Sequence, residues 1–385
     1  RIFMLKNKIY KYFTVEIIKT FLTILFAFSA IAWTVRAVNF LDLIVENGHS
    51  MKTYLFFSFL NITNIITKFI PLSFLLALVL SILKFERQNE LIILWTTGLG
   101  KIKLVNLFFV ISLVILILQL IFAVFLTPYA LNKSRFLVSN SDLNSMSSII
   151  RIKDFSDSFK DVTFYVENKN SEGIMTNVFI RDNGNSFNSL VSNFENKTNT
   201  TIVAKKGFLN DDKIILFDGF IQSQNSEGEL ENIDFKKTEL SASSLSGRTI
   251  IKPKLQETST YLLLNCLFKF DKDLLVVSED SCAKESYNKN IVETLSRRLG
   301  MPIYIPLIAL ISSFLLISNT QKIKNYKKYS YFFIGFIILV LAEIMVRFAG
   351  FSITNTLIYF VLPLILIPLT YILINQRISK EKFKT

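Results

Sequence analysis

Histidine occurs once and cysteine twice in 385 residues. Those shortages exclude several classes of site. A histidine-based metal centre or a Ser-His-Asp triad would have to use His49. That residue sits in the turn-like stretch Glu46-Asn47-Gly48-His49-Ser50 with no ligand-spaced partner, and it reads as an ordinary loop histidine. Cys266 and Cys282 are too few for a metal cage. No nucleophile elbow, dinucleotide fingerprint or pair of catalytic carboxylates is present. Gly98-Leu99-Gly100-Lys101 has the flavour of a phosphate loop. It lacks the four residues between the glycines and the Ser or Thr after the lysine that such a loop needs. No cofactor is expected, and any ATP hydrolysis linked to this chain belongs to another subunit.

What the chain has instead is apolar bulk. Hydrophobic residues make up 51% of it, with phenylalanine prominent. They fall in long uncharged blocks that suit lipid better than a soluble core. Six blocks are the right length to span a membrane. The first runs from Thr20 to Leu41 and is interrupted by Arg36. The second runs from about Ile62 to Leu83, with Lys68 inside it and a kink expected at Pro71. The third, Leu104 to Leu126, has no charge and should stop at Thr127-Pro128. The others are Met301 to Asn319, Tyr329 to about Ala349 and Phe351 to Asn375. Each supplies roughly twenty residues, enough for a hydrocarbon core of ~30 Å. Ala30-Ile31-Ala32 has the small-residue spacing of a signal-peptidase site. The apolar stretch continues past it, so the segment reads as a retained helix.

Composition changes between the third and fourth blocks. Asp161 to Glu167 alternates apolar and polar residues, and shorter runs follow at Val178 to Ile180, Thr201 to Ala204 and Ile214 to Phe217. Turn signals separate them at Asn170-Ser171-Glu172-Gly173, Asp182-Asn183-Gly184, Asp218-Gly219 and Asn225-Ser226-Glu227-Gly228. Many short strands at this spacing suggest a β-sandwich or an open jelly roll. The expected fold class is an α-helical membrane protein with six transmembrane helices and an all-β, jelly-roll-like domain between helices three and four. The expected division is 1–131, 132–298 and 299–385, with a less regular part at about 258–290.

The formal net charge of +13 would suggest nucleic acid in a soluble protein. Here lysine and arginine cluster at the N-terminus, after span two, after span four and at the C-terminus. Simple alternation of the spans puts all four clusters on one side, which is the positive-inside pattern. Both termini should therefore be cytoplasmic and the β-domain external. No nucleic-acid partner is expected.

Polar residues near the spans are the candidate functional groups. The stretch from Glu86 to Thr97, ended by Gly98, can form a short amphipathic helix at the cytoplasmic surface. Glu90 lies one turn after Glu86, next to Arg87 in the same stretch, and Leu91, Leu94 and Trp95 share another face. This is either a solvated interfacial helix or a coupling helix that docks in an ATPase groove. Charges inside spans usually face a cavity or a partner. Glu343 and Arg347 are four apart and can pair. Arg36 and Lys68 lie toward the outward ends of their spans and could meet anionic lipid phosphates, or snorkel to water. Cys266 and Cys282, both in the external part, are expected to form a disulfide worth ~3 kcal/mol, with two buried free thiols as the alternative.

The order of three spans, a β-domain and three spans resembles the LptF/LptG (YjgP/YjgQ) lipopolysaccharide export permeases. Phe69-Ile70-Pro71-Leu72 through Asn89-Glu90-Leu91 to Gly98-Leu99 is similar to that family's second span and coupling helix. Thr163 to Glu167, Val178 to Asp182 and Ile202 to Gly207 resemble its strands, more those of the F-type than of the G-type subunit. Glu293 to Pro302 resembles its entry to span four; Cys266 to Cys282 has no counterpart. The resemblance implies a bacterial inner-membrane permease subunit of an ATP-driven lipopolysaccharide exporter, not itself an enzyme. It implies a paralogous G-type permease (LptG), a dimeric ATPase (LptB), a single-span periplasmic partner (LptC) and a bridge protein (LptA). Glu90 matches the family's coupling glutamate, and Arg36 falls where the family carries a basic residue on span one. Two other readings stay open: a permease of another ATP-driven efflux or lipoprotein-release class, and a non-transporting anchor that presents a β-domain.

Overall fold

The computed structural model describes residues 8–41, 44, 50–144, 152–159, 162–170, 173–183, 197–210, 213–225, 230–241, 254–268, 285–317 and 325–382. His49, Cys282 and the basic stretch 321–324 lie outside the described residues. The chain forms two compact units. One contains Arg1–Thr34, Asn61–Asn132 and Lys254–Thr385; the other contains Val35–Leu60 and Lys133–Pro253. The described residues 254–268 and 285–298 fall in the first of these units.

Among the described residues, six helical spans are long and apolar enough to cross a membrane. The first two are α1 (Lys8–Asn39) and α2 (Met51–Arg87), joined by the short α3 (Glu90–Thr96) to α4 (Lys101–Ile121). A π-helical turn at Phe122–Leu126 carries α4 into α5 (Thr127–Asn144). After the strands come α6 (Thr260–Phe268) and α7 (Glu285–Gly300), which passes through a tight turn at Met301–Ile303 into α8 (Tyr304–Ser313). The last two are α9 (Asn325–Ala349) and α10 (Ile353–Lys382).

Apolar spacing decides how the helices pack. On α1 the buried residues Tyr10, Phe13, Ile17, Phe21 and Leu25 recur every three or four positions and form one stripe. That stripe joins Phe74, Leu78 and Ile82 of α2, Phe108 and Ile111 of α4, and Ile305 and Ile308 of α8 in the main core. All ten residues of α8 are buried, so this helix is enclosed on every side. Leu22, Phe26 and Ile31 of α1 stay exposed. Such a face suits acyl chains or another transmembrane helix.

Pro128 behaves differently from the sequence expectation. The third span does not stop at Thr127-Pro128; the helix continues to Asn144. Pro128 has no N–H for the Val124 carbonyl four residues earlier, and the Thr260 hydroxyl donates to that carbonyl at 2.9 Å instead. Pro363 lies inside α10 and leaves the Tyr359 carbonyl in the same position. The Tyr304 phenol donates to it at 3.0 Å. A helix in lipid tolerates proline when another helix supplies the missing donor. Pro71 likewise lies inside an uninterrupted α2.

The second unit carries an antiparallel sheet of six strands: β1 (Phe155–Phe159), β2 (Val162–Lys169), β3 (Met175–Asp182), β4 (Lys197–Asn210), β5 (Lys213–Asn225) and β6 (Leu230–Ser241). Strand order follows the chain, so the described strands make one meander and not two packed sheets. Asp218-Gly219, read as a turn in the sequence, lies in the middle of β5. Asp218 takes φ 50, as does Asn177 on β3. At this level the buried positions slip by one residue: Ile180 and Val178 give way to Met175 on β3, and Ile221 to Leu216 and Ile214 on β5. A left-handed residue on each of two strands creases the sheet and re-aims its side chains. Gly219 is required there, because a Cβ would sit 2.1 Å from the Val203 carbonyl of β4. Near the end of β6, Lys237 and Lys213 both reach Glu239 and hold its carboxyl below the ordinary glutamate range.

Candidate functional site

The short helix between α2 and α4 is built by two backbone signals. Asn89 turns the chain out of α2 with φ 59, a conformation that asparagine tolerates. Gly98 ends α3 with φ 85. Its N–H donates to the Trp95 carbonyl at 3.2 Å, and the Leu99 N–H to the Leu94 carbonyl at 3.1 Å. This pair of bonds is the Schellman arrangement. The helix therefore covers Glu90–Thr96, not 86–97, and Glu86 and Arg87 belong to the end of α2. Glu90 opens α3, where a carboxylate faces the positive end of the helix dipole.

Leu91 and Leu94 are buried in this chain's own core, with Trp95 packed against it. They hold α3 in place and are not free to enter a partner. The apolar pair that α3 leaves exposed is Ile92 and Ile93. Lys101 sits 5.9 Å from the Trp95 ring centroid. Glu90 is half-buried, not exposed as a surface residue would be. Its Oε1 accepts a hydrogen bond from the Tyr12 phenol at 3.0 Å. Its Oε2 is buried and has no hydrogen-bond partner among the described residues. One turn along α1, Glu16 forms an ion pair with Lys84 of α2.

The intramembrane charges are arranged differently from the spacing rule. Glu343 of α9 pairs with Arg297 of α7, and Arg297 also reaches Glu293 at 3.2 Å. Arg347, the expected partner of Glu343, is exposed and makes no ion pair with it. An arginine on the neighbouring helix reaches Glu343 with its planar fork, and the four-residue neighbour is left outside the pair. Arg36 on α1 and Lys68 on α2 are both exposed on their own helices.

Arg298, next to Arg297, was not singled out from the sequence as a site residue. It is buried, and its guanidinium donates to four neutral oxygens. These are the Leu255 carbonyl at 3.0 Å, Gln256 at 3.1 Å, Thr258 at 3.0 Å and the Thr260 hydroxyl at 2.8 Å. Thr260 passes the chain of bonds on to Val124. Cys266 of α6 is not a free thiol.

On the sheet, Phe155, Tyr165, Phe179, Val203 and Phe220 stand opposite one another across five strands. They line an open groove of about 670 Å³.

The family model for the lipopolysaccharide export system permease LptF/LptG matches residues 11–379. The chain belongs to this family. It is a multi-pass inner-membrane permease and a transporter subunit of the lipopolysaccharide export system, with its β-domain inserted between the third and fourth spans. No curated protein matches the chain. In the permease, Glu90, Arg36, the β-strands and all but the outermost residues of the first and last helices fall within the matched region.

Proposed function

We propose that the permease is the F-type half of an ATP-driven exporter that extracts lipopolysaccharide from the outer leaflet of the inner membrane. The observation that carries this reading is the family match over residues 11–379, which takes in both sets of three spans and the sheet. In this reading it pairs with a paralogous G-type permease, binds a dimeric ATPase on the cytoplasmic side, and hands lipid to a single-span partner and a periplasmic bridge. The termini and α3 are cytoplasmic and the sheet is periplasmic, as the lysine and arginine clusters favour. The aromatic groove of the sheet offers a path for acyl chains. Cys266 pairs with Cys282 in that oxidising compartment.

Transport is coupled at α3. Exposed Ile92 and Ile93 enter an apolar groove of the ATPase, and Glu90 meets a basic residue there. Glu90→Ala in the reconstituted complex is expected to leave assembly intact and to cut lipid release at least about tenfold, the usual scale for a charge pair in a closed interface. Unchanged release with normal assembly would remove α3 from the mechanism.

Substrate capture is assigned to Arg36 and, more weakly, to Lys68. Arg36 is an exposed cation on a helix whose neighbouring residues Ile31, Val35 and Val38 are exposed and apolar, and a lipid phosphate would accept hydrogen bonds from its guanidinium; Lys68 is the exposed cation on the second span. Photocrosslinking from position 36 in cells should give more lipid adduct than from position 115, which is buried in α4. Equal adduct at both positions, with Arg36→Ala still exporting normally, rules the site out.

A further inference from the structure

We infer that Tyr12 positions Glu90 for coupling, and that through it the first membrane helix moves with the coupling carboxylate. The inference rests on the reading of α3 as the coupling element. A glutamate side chain has three rotatable bonds, and α3 is only seven residues long. Glu90 lies at its first residue, directly after the left-handed turn at Asn89. Nothing local to α3 fixes that side chain. Among the described residues the hydrogen-bond donor to it is Tyr12 of α1, distant in sequence, whose phenol donates to Oε1 at 3.0 Å.

The chemistry of this donor suits the task. A lysine or arginine in its place would neutralise Glu90 and compete with a basic residue of a partner. A phenol holds one oxygen and leaves the negative charge in place. The second oxygen has no donor among the described residues and is covered in this chain, so a cation supplied from outside reaches it only when the groups covering it move aside. The arm is about half exposed, at 47%, and is held by two ring contacts. The Tyr12 ring packs edge-on to Phe13 at 5.6 Å and against Phe85 at 6.3 Å.

Tyr12 is also one of two successive ties from the same helix. Glu16, one turn further on, is bound to Lys84 of α2. The end of α1 is thus bonded to α3 at one turn and to α2 at the next. A shift of α1 past α2 must either carry Glu90 with it or break the Tyr12 bond. Either way, the rotamer of the coupling carboxylate depends on where the first span is.

The test uses the assembled exporter in proteoliposomes with three variants: Tyr12→Phe, Glu90→Gln and the double substitution. Phenylalanine keeps the ring and its packing and removes only the donor. Assembly, ATP hydrolysis and lipid released per ATP are read together. Tyr12→Phe is expected to assemble and to hydrolyse ATP within about twofold of the parent, while lipid per ATP falls about five- to tenfold, the scale of one ordinary net hydrogen bond at a partly exposed site. The double variant should be no worse than Glu90→Gln alone, because Tyr12 acts only through that carboxylate. Additive losses in the double variant, or poor assembly of Tyr12→Phe, would show a structural role and overturn the inference. If Glu90→Gln uncouples and Tyr12→Phe does not, the inference fails and the coupling reading stands. If Glu90→Gln itself changes nothing, both fall.

Discussion

Arg298→Ala should be among the most destabilising substitutions in the permease. The residue is buried at 6% exposure, and its guanidinium makes four hydrogen bonds to uncharged oxygens. Removing it leaves backbone carbonyls of residues 255, 256 and 258 without this donor, and it frees the Thr260 hydroxyl from its anchor. The cost is about 3–5 kcal/mol, from several orphaned buried acceptors and a cavity the size of a guanidinium. Arg298→Lys should recover part of this only. An ammonium offers three donors at one point and cannot span two carbonyls with a planar fork. The measurement is the thermal midpoint of the detergent-solubilised protein, followed by size exclusion, with Arg347→Ala as the exposed control. A midpoint for Arg298→Ala equal to the control would mean that the clamp contributes nothing.

Gly219→Ala should damage the sheet without touching the membrane helices. A Cβ at this position would meet the Val203 carbonyl at 2.1 Å, the Phe235 ring at 2.8 Å and the Ala204 Cα at 2.9 Å. Two of these three atoms are backbone of the neighbouring strand, so no side-chain rotation relieves the clash. Strands β4 and β5 must separate at the crease, at a cost of about 3 kcal/mol in the β-domain. Hydrogen exchange on the full-length protein reads this directly. Amides of β3 to β6 should lose protection while those of α8 keep theirs. Unchanged protection across β4 and β5 would show that the crease can open at no cost.

Much of the architecture was legible because it rests on local pattern. Six apolar runs of span length, and two-residue alternation between the third and fourth, need only neighbouring residues to be read. Gly98 could be seen as a helix end for the same reason. What stayed hidden depends on residues far apart in the chain. Nothing near Tyr12 or Glu90 announces their bond. Helical spacing points Glu343 to Arg347, whereas Arg297 reaches it from another helix. Asp218-Gly219 has the composition of a turn. Two long neighbouring strands hold it straight enough to become a crease, and tertiary pairing overrides the local signal. Which face of α3 points outward depends on the core: a seven-residue helix buries whichever side meets it, and burial of Leu91 and Leu94 leaves Ile92 and Ile93 outside. Pro128 reads as a stop in the sequence, and the donor that lets the helix continue comes from Thr260, far away in the chain.

The two borrowed donors also differ in when they come into existence. Tyr304 is synthesised before Pro363, so the sixth span enters the bilayer with the phenol for its Tyr359 carbonyl already made. Thr260 is synthesised long after Pro128, with the whole sheet between them in the chain. Until that threonine emerges and folds back, the third span holds a backbone acceptor at Val124 that proline cannot serve. The second half of the bundle can mature in the order in which it leaves the ribosome. The first half must wait for residues on the far side of the β-domain, so insertion of its helices and completion of their packing are separate events in the life of the nascent chain.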